Sequence, residues 1–466
     1  MKFNILASCF FFLLSNFLLQ GKKPNVILIL ADDLGYGDCA PFNPHSKIKT
    51  PHLSKLASEG LSFSDAHAAC STCTPSRYGL LTGINPARTG VLNTLLSKGK
   101  PIITEEEKTL AHLFKSQGYM THMLGKWHLG FEGKDKWTDQ PLQGGPTDRG
   151  FDTFFGIASS AGAAPLCFIE QNQFIGQPTE LTTFPKHDHQ GKTQWVKSLK
   201  SPGFSIQETS PILATKAVAL IEKMAEQKDS PPFFLYYASP IPHQPWVPME
   251  KFRGKSDLGE YADFVLQLDW VVGQINNALV RTRLDRQTIL VFTSDNGPSP
   301  KSHALMGTKG HSSSAGLRGV KSTRWEGGHR VPFIVKWPDK IPAGKITSSI
   351  VNFTDFMATF AELFQVNLLK QFPSAVDSYS FLPALFDERT MMNRPAMVHR
   401  SNAIRSGQFK LIHPNHFTKF ENTKISEFEL YDLDADRREM NPLSNHRLKN
   451  KLFEEYQRFN RQRKFK

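Results

Sequence analysis

Pro24-Asn25-Val26-Ile27-Leu28-Ile29-Leu30-Ala31-Asp32-Asp33 is an unbroken apolar run closed by two carboxylates. A continuous run of this length, ended by turn-forming residues, predicts a strand of a parallel or mixed sheet, buried on both faces. Such sheets place ligands at the carboxyl ends of their strands, where Asp32 and Asp33 stand. The pattern recurs downstream. Tyr119 to Leu124, Phe233 to Ala238, Thr288 to Thr293 and Phe333 to Trp337 read as further strands. The first three run into Gly125-Lys126-Trp127-His128-Leu129-Gly130, Ser239-Pro240-Ile241-Pro242-His243-Gln244-Pro245 and Ser294-Asp295-Asn296-Gly297.

Helices are predicted between these strands: from about Pro51 to Glu59, ended by Gly60; from a Thr109 cap to Gly118; from Pro211 to Gln227; and from Tyr261 to Arg281. In the last, Val265, Leu268, Val272, Ile275 and Leu279 follow three-four spacing. Phe131 to Arg149, Gln171 to Ile206 and Gly297 to Gly319 read as loops. Alternating strands and helices argue for an α/β sandwich, and no repeat of fixed period is evident. After about Arg394 the text changes to short strands around Ala403–Arg405, Phe409–Ile412 and Glu429–Leu433, with a basic amphipathic helix from about Asn445. The expected division is a leader over 1–21, a main domain over 22–393 and a small C-terminal α+β subdomain with an antiparallel sheet over 394–466.

A chain of 466 residues buries a large core, as two or three domains or as one large α/β domain with an appendage. With 39% hydrophobic and 21% charged residues it is an ordinary globular protein, not a disordered one. Its net charge of +13 favours anionic partners or is simply solvated surface. No nucleic-acid motif is present and the cations are spread along the chain, so a polyanionic carbohydrate fits better. Lys2, the apolar run from Ile5 to Leu19 and then Gly21-Lys22-Lys23 outline a secretory signal peptide cut near Gln20 or Gly21, too short for a membrane span. No second long apolar segment follows, so the mature protein is expected to be exported without stable membrane insertion, whether secreted, periplasmic or lysosomal. Of the five cysteines, Cys9 leaves with the leader. If Cys73 serves chemistry, Cys39, Cys70 and Cys167 allow at most one disulfide within the chain.

The stretch Cys73-Thr74-Pro75-Ser76-Arg77-Tyr78-Gly79-Leu80-Leu81-Thr82-Gly83 puts a cysteine at the start of a helix with proline in its first turn, facing the positive end of the helix dipole. An arginine follows one turn in. Asp32, Asp33, Asp295 and Asn296 form an all-oxygen set with three carboxylates, of the kind that hard cations such as Ca²⁺ take.

The run C-x-P-S-R-x-x-x-L-T-G resembles the signature of the sulfatase family, and the likeness extends over roughly Pro24 to Leu443. It implies a large mixed, mostly parallel sheet sandwiched by helices, as in alkaline phosphatase. It implies that a formylglycine-generating enzyme converts Cys73 to formylglycine (3-oxoalanine), and that Asp32, Asp33, Asp295 and Asn296, together with the modified Cys73, hold one Ca²⁺. By the same resemblance Arg77 orients the nucleophile, Lys126 and Lys321 neutralise sulfuryl oxygens, His243 protonates the leaving oxygen and His128 takes a proton from the aldehyde hydrate. Ser160, in Gly156-Ile157-Ala158-Ser159-Ser160, corresponds to a serine near the site. Relatives often follow that serine with an acidic residue and proline; here Ala161-Gly162-Ala163-Ala164-Pro165 lacks the acid, so sugar specificity does not transfer. The expected activity is hydrolysis of sulfate esters of a carbohydrate. The alternatives are a phosphodiesterase or phosphonate hydrolase of the same superfamily, or a sulfoglycan-binding protein whose Cys73 stays a thiol.

Overall fold

The computed structural model describes residues 22–95, 99–132, 141–188, 192–227, 229–400, 402–414 and 425–463. The expected leader over 1–21 lies outside the described residues. Among them the strands in chain order are β1 (Asn25–Ala31), β2 (Leu61–Phe63), β3 (Ala66–His67), β4 (Met120–Lys126), β5 (Thr153–Ile157), β6 (Ile169–Glu170), β7 (Gln173–Phe174), β8 (Glu180–His187), β9 (Thr193–Lys200), β10 (Phe233–Ala238), β11 (Thr288–Ser294), β12 (Phe333–Lys336), β13 (Lys345–Thr347), β14 (Val351–Asn352), β15 (Met397–His399), β16 (Ala403–Ser406), β17 (Phe409–Ile412) and β18 (Glu429–Asp432).

Ten of them form one sheet in the order β13-β2-β12-β11-β1-β10-β4-β5-β6-β7. Its centre, β11-β1-β10-β4-β5, is parallel throughout. Antiparallel pairing enters at β11–β12, β12–β2, β5–β6 and β6–β7. The period of two along β1 explains why its sequence is apolar at every position from Val26 to Ala31. Val26, Leu28 and Leu30 face one core, which contains Tyr78, Leu80, Leu110, Leu113 and Phe360 from helices Cys73–Thr82, Leu110–Ser116 and Phe356–Leu363. Ile27, Ile29 and Ala31 face the other, built with Leu53, Leu213, Ala217, Leu268 and Ile275 from helices Pro51–Ser58, Ile206–Glu226 and Glu260–Arg281. Each fully buried aliphatic side chain contributes about 2 kcal/mol, so both faces must be covered. The fold is the α/β sandwich that the strand pattern predicts, built on the mixed, mostly parallel sheet that the resemblance implies.

Three segments depart from the sequence reading. The helix expected to begin at Pro211 begins at Ile206, with Ser205 Oγ accepting from the Glu208 amide. Pro211 therefore lies inside it; the lost ladder bond is outweighed by burial of Leu213, Ala214, Ala217, Ile221 and Met224. The polar stretch after Gln171 contains the hairpin of β8 and β9, paired over eight rungs. Its composition hides it because one face is open to water. The loop expected over 297–319 contains a helix, Pro300–Thr308, where Ser299 Oγ caps the Ser302 amide and proline occupies the first turn.

The last four strands form a separate antiparallel sheet, β15-β16-β17-β18. Helix His446–Arg461, capped by Asn445, packs Leu452 and Tyr456 against Val398, Ile404, Leu411 and Leu430. The sheet's other side packs on Trp325, which clusters with Ala403, Ile412 and Tyr431. Arg405 on β16 forms a bidentate pair with Asp65 (2.8 and 2.6 Å), and Lys410 on β17 reaches Glu326 (3.0 Å). Cys39, Cys70, Cys73 and Cys167 are buried and free. No helix among the described residues is long and apolar enough to cross a membrane.

Candidate active site

Strand register brings the distant carboxylates together. Ala31 on β1 is paired with Ser294 on β11, so the next residues, Asp32 and Asp295, emerge side by side. Leu30 pairs with Ala238, and Ala238 with Gly125, so β10 and β4 end at the same level. Gly125 has φ +108°, and a Cβ there would lie 2.0 Å from the Ala238 carbonyl oxygen; only glycine lets β4 turn and deliver Lys126. Asp33 and His128 also hold left-handed backbone, φ 67° and 58°, a strain that a site must over-determine elsewhere. For Asp33 the hold is its own amide donating to Asp295 Oδ1 (3.1 Å).

Helix Cys73–Thr82 starts at Cys73, with Thr72 as its N-cap and Pro75 in the third position. All ten of its residues are buried. It points Cys73 Sγ into the cluster, 3.5 Å from Asp32 Oδ1, 3.7 Å from Asp33 Oδ1 and 3.0 Å from Lys321 Nζ. One ligand atom from each of Asp32, Asp33, Cys73 and Asp295 lies within 4.8 Å of the others. Burial, reinforced by Asp295, pushes the Cys73 thiol well above its usual pKa, so as a plain cysteine it is a protonated, weak nucleophile.

Three cations face three carboxylates. Arg77 donates through Nε and Nη2 to Asp295 Oδ2 (3.1 and 2.8 Å) and through Nη1 to the Lys126 carbonyl (3.0 Å). It braces Asp295 against the end of β4. Lys126 Nζ donates to Asp32 Oδ2 at 2.8 Å, and Lys321 Nζ to Asp33 Oδ1 at 2.5 Å. Burial works against the Lys321 ammonium, but Asp33 and then Cys73 and Asp32 override it and hold the pKa well above the usual value. Asp33 is correspondingly lowered: its burial opposes ionisation, and Lys321, His243 and Lys126 overcome that. Asp295 is raised by burial and by its neighbour Asp32.

Both histidines are neutral with one lone pair free. His128 Nε2 sits 2.9 Å from the Leu95 carbonyl and must carry the proton, which leaves Nδ1 a buried acceptor without a partner among the described residues. Its pKa is held well below the ordinary value by burial, then by Lys126 and Arg77. His243 Nδ1 donates to the Gln244 carbonyl (2.7 Å) and turns Nε2 toward Asp33 Oδ2 (3.7 Å). Burial, with Lys126 and Lys321 working against Asp33, pulls it down to about 3. Ser160 stands apart: it lies in the turn after β5, its carbonyl accepts from Ala163, and its hydroxyl makes no hydrogen bond to the cluster.

A family model described as Sulfatase matches residues 24–366, and one described as N-sulphoglucosamine sulphohydrolase, C-terminal, matches residues 320–464. The chain belongs to the sulfatase family. It is a sulfuric ester hydrolase by that membership. It is 33% identical to an N-acetylgalactosamine-6-O-sulfatase of Bacteroides thetaiotaomicron, over 91% of this chain and 90% of that protein. To the arylsulfatase A of Homo sapiens it is 34% identical, over 73% of this chain and 64% of that one. A solved sulfatase structure from Bacteroides thetaiotaomicron, described in connection with metabolism of multiple glycosaminoglycans, superposes with a TM-score of 0.83 at 32% identity, covering 93% of this chain and 98% of that one.

The oxygen set fits a hard dication. Three buried carboxylates converge, and Asn296 Oδ1 is buried without a hydrogen-bond partner among the described residues while its Nδ2 donates to Asp33 Oδ1 (2.8 Å) and the Gly297 carbonyl (2.8 Å). Asp32, Asp33, Asp295 and Asn296 are the residues that would hold it. Three carboxylates against Lys126, Lys321 and Arg77 are charge-balanced, so an added dication leaves the sulfatase site positive and ready for an anion.

Sequence spacing gives no sign of one further part. Asp38 Oδ2 accepts from the Gly35 amide (3.0 Å) and the Tyr261 hydroxyl (2.5 Å), and Asp38 Oδ1 lies 2.9 Å from His311 Nε2. This buried clamp ties the loop after Asp33 to helix Glu260–Arg281 and to the segment before Lys321. Its members are too far apart in sequence to form a motif. Lys321 is held in turn because its amide donates to the Pro298 carbonyl (3.0 Å) and Gly297 to Gly328 (2.9 Å).

Proposed function

We propose that this sulfatase is exported, matures at Cys73 to formylglycine, holds Ca²⁺ through Asp32, Asp33, Asp295 and Asn296, and releases sulfate from a sulfated carbohydrate. The observation that carries the reading is the position of Cys73 Sγ, buried at a helix N-terminus between Lys321 and the Asp32–Asp33 pair. Its protonated thiol has little nucleophilicity of its own, which favours a modified residue there. When bound, Ca²⁺ neutralises sulfuryl oxygens and polarises the nucleophile. A hydrated aldehyde at position 73 supplies one hydroxyl for attack and a second that permits elimination.

In this reading Lys126 and Lys321 pair with the equatorial sulfuryl oxygens and stabilise charge that grows there. Arg77 keeps Asp295 ionised and in place. His128 Nδ1, with its free lone pair, accepts a proton at residue 73. An anionic ester beside His243 offsets Lys126 and Lys321, raises its pKa and lets Nε2 donate to the leaving oxygen. Ser160 serves the substrate-side wall. Residues 22–393 carry the catalysis, and 394–466 form a subdomain that braces the Lys321 segment. A formylglycine-generating enzyme is the partner in maturation. The resemblance to a named N-acetylgalactosamine-6-O-sulfatase supports a 6-sulfated amino sugar as the first substrate to try.

The alternative of a phosphoryl or phosphonyl hydrolase has a likeness of fold: a phosphonate monoester hydrolase of Agrobacterium radiobacter superposes with a TM-score of 0.58 at 16% identity. Paired rates on 4-nitrophenyl sulfate and 4-nitrophenyl phosphate, followed by a panel of sulfated monosaccharides, decide between them. Sulfate-ester turnover at least tenfold above phosphate-ester turnover is expected. The reverse preference refutes the sulfate reading, and no turnover with an unmodified thiol at residue 73 in host-purified protein favours a binding role.

A further inference from the structure

The hairpin of β8 and β9 leaves one face uncovered from the Leu181–Leu199 rung to the Pro185–Trp195 rung. Directly opposed residues of an antiparallel pair share a face. The rungs Leu181–Leu199, Thr183–Lys197, Pro185–Trp195 and His187–Thr193 therefore line one side. The intervening rungs carry Phe184, which is buried in the core and pins the other side to the body. On the open side Trp195 and Leu181 are each 69% exposed and Leu199 is 49% exposed. Three large apolar side chains on one stripe mark an interaction surface.

The stripe is tied at one end to the segment that carries His243. His187 is buried and stacks on Trp246 with ring centroids 4.9 Å apart. Trp246 Nε1 donates to the Pro242 carbonyl (3.0 Å), and His243 is the next residue. Along the strand, Trp195 lies about 7 Å and the Leu181–Leu199 rung about 20 Å from the His187 rung. Lys197 stands between Trp195 and Leu199 with no ion-pair partner among the described residues, whereas Lys200, on the opposite side, is paired with Glu180 at 2.7 Å.

We propose that this face is an extended subsite for a sulfated oligosaccharide, resting on the reading of the substrate as a sulfated carbohydrate. Trp195 stacks on the C–H face of a sugar ring beyond the one that loses sulfate. Lys197 pairs with an anionic substituent on the same chain, and Leu181 and Leu199 extend the apolar floor. A polyanion complements this face. A second copy of a chain of net charge +13, bringing its own Lys197, does not.

The test uses Cys73→Ala to read binding without turnover, with a chondroitin 6-sulfate hexasaccharide and N-acetylgalactosamine 6-sulfate as probes in titration calorimetry. Adding Trp195→Ala weakens the hexasaccharide about tenfold and leaves the monosaccharide unchanged. Lys197→Ala gives a smaller loss that shrinks with salt. In matured protein with formylglycine at residue 73, Trp195→Ala raises KM for the hexasaccharide, leaves kcat alone and leaves monosaccharide kinetics alone. Equal hexasaccharide affinity with and without Trp195 overturns the subsite. So does a dimer in sedimentation that Trp195→Ala abolishes, since the face would then belong to a second copy. If matured protein turns over neither sugar while hexasaccharide binding still depends on Trp195, the subsite stands and the catalytic reading fails.

Discussion

At the scale of the residue, Cys73 is held to one position by a helix that is buried along its whole length, and its surroundings keep the thiol protonated. Its Sγ is small and touches Lys321 and two carboxylates, so Cys73→Ala removes chemistry and little packing. Sulfate release should fall below detection while the melting temperature stays within a few degrees; retained turnover would assign the nucleophile elsewhere. Arg77 is a different kind of residue. It is fully buried and its guanidinium closes on Asp295 and the Lys126 carbonyl. Arg77→Ala leaves a buried carboxylate without its partner and should cost about 3–5 kcal/mol in urea denaturation. Asp295→Ala removes one of the three converging carboxylates and should abolish bound calcium in elemental analysis; unchanged metal content would contradict its place in the ligand set.

At the scale of the element, the central strands were legible because both faces are buried, which makes β1, β10 and β11 nearly continuous apolar runs. Their shared carboxyl ends were legible because polar residues follow each run. Which residue meets which was not legible, because register is set by pairings such as Ala31 with Ser294 that no local pattern records. The hairpin of β8 and β9 escaped for the opposite reason: a strand open to water on one face, with Lys and Thr between its apolar positions, reads as loop. The Asp38–Tyr261–His311 clamp escaped because its parts come from three elements. The C-terminal sheet was legible as short strands, but its task was not. Arg405 and Lys410 reach across to Asp65 and Glu326, and Glu326 lies five residues from Lys321. Arg405→Ala strips Asp65 of its bidentate partner. It should cost about 1–3 kcal/mol, since Arg330 Nη1 still pairs with Asp65 at 2.9 Å, and lower kcat by loosening the Lys321 segment, read by chemical denaturation alongside sulfate release; an unchanged unfolding midpoint would contradict the brace.

At the scale of the molecule, burial keeps many histidines neutral. His67, His112 and His122 are each pulled down to about 4, first by desolvation. An unfolded histidine titrates near 6.5, so unfolding takes up protons below that pH. The stability these three contribute is complete above about pH 6.5 and is lost as the pH falls toward 4. Glu439, pushed up to about 7 by burial against the pull of Lys410, works in the other sense, one group against three. The melting temperature should therefore drop between pH 7 and pH 5, and a flat or rising profile would contradict the burial of these rings. The larger claim is that a parallel sheet of distant strands converges on residue 73 to make a sulfate-cleaving centre. Its most direct test is the mass of the peptide spanning residue 73, from protein made in its own host and shown to release sulfate. The account predicts an aldehyde in place of the thiol at that residue; an intact thiol in protein that still releases sulfate would contradict it.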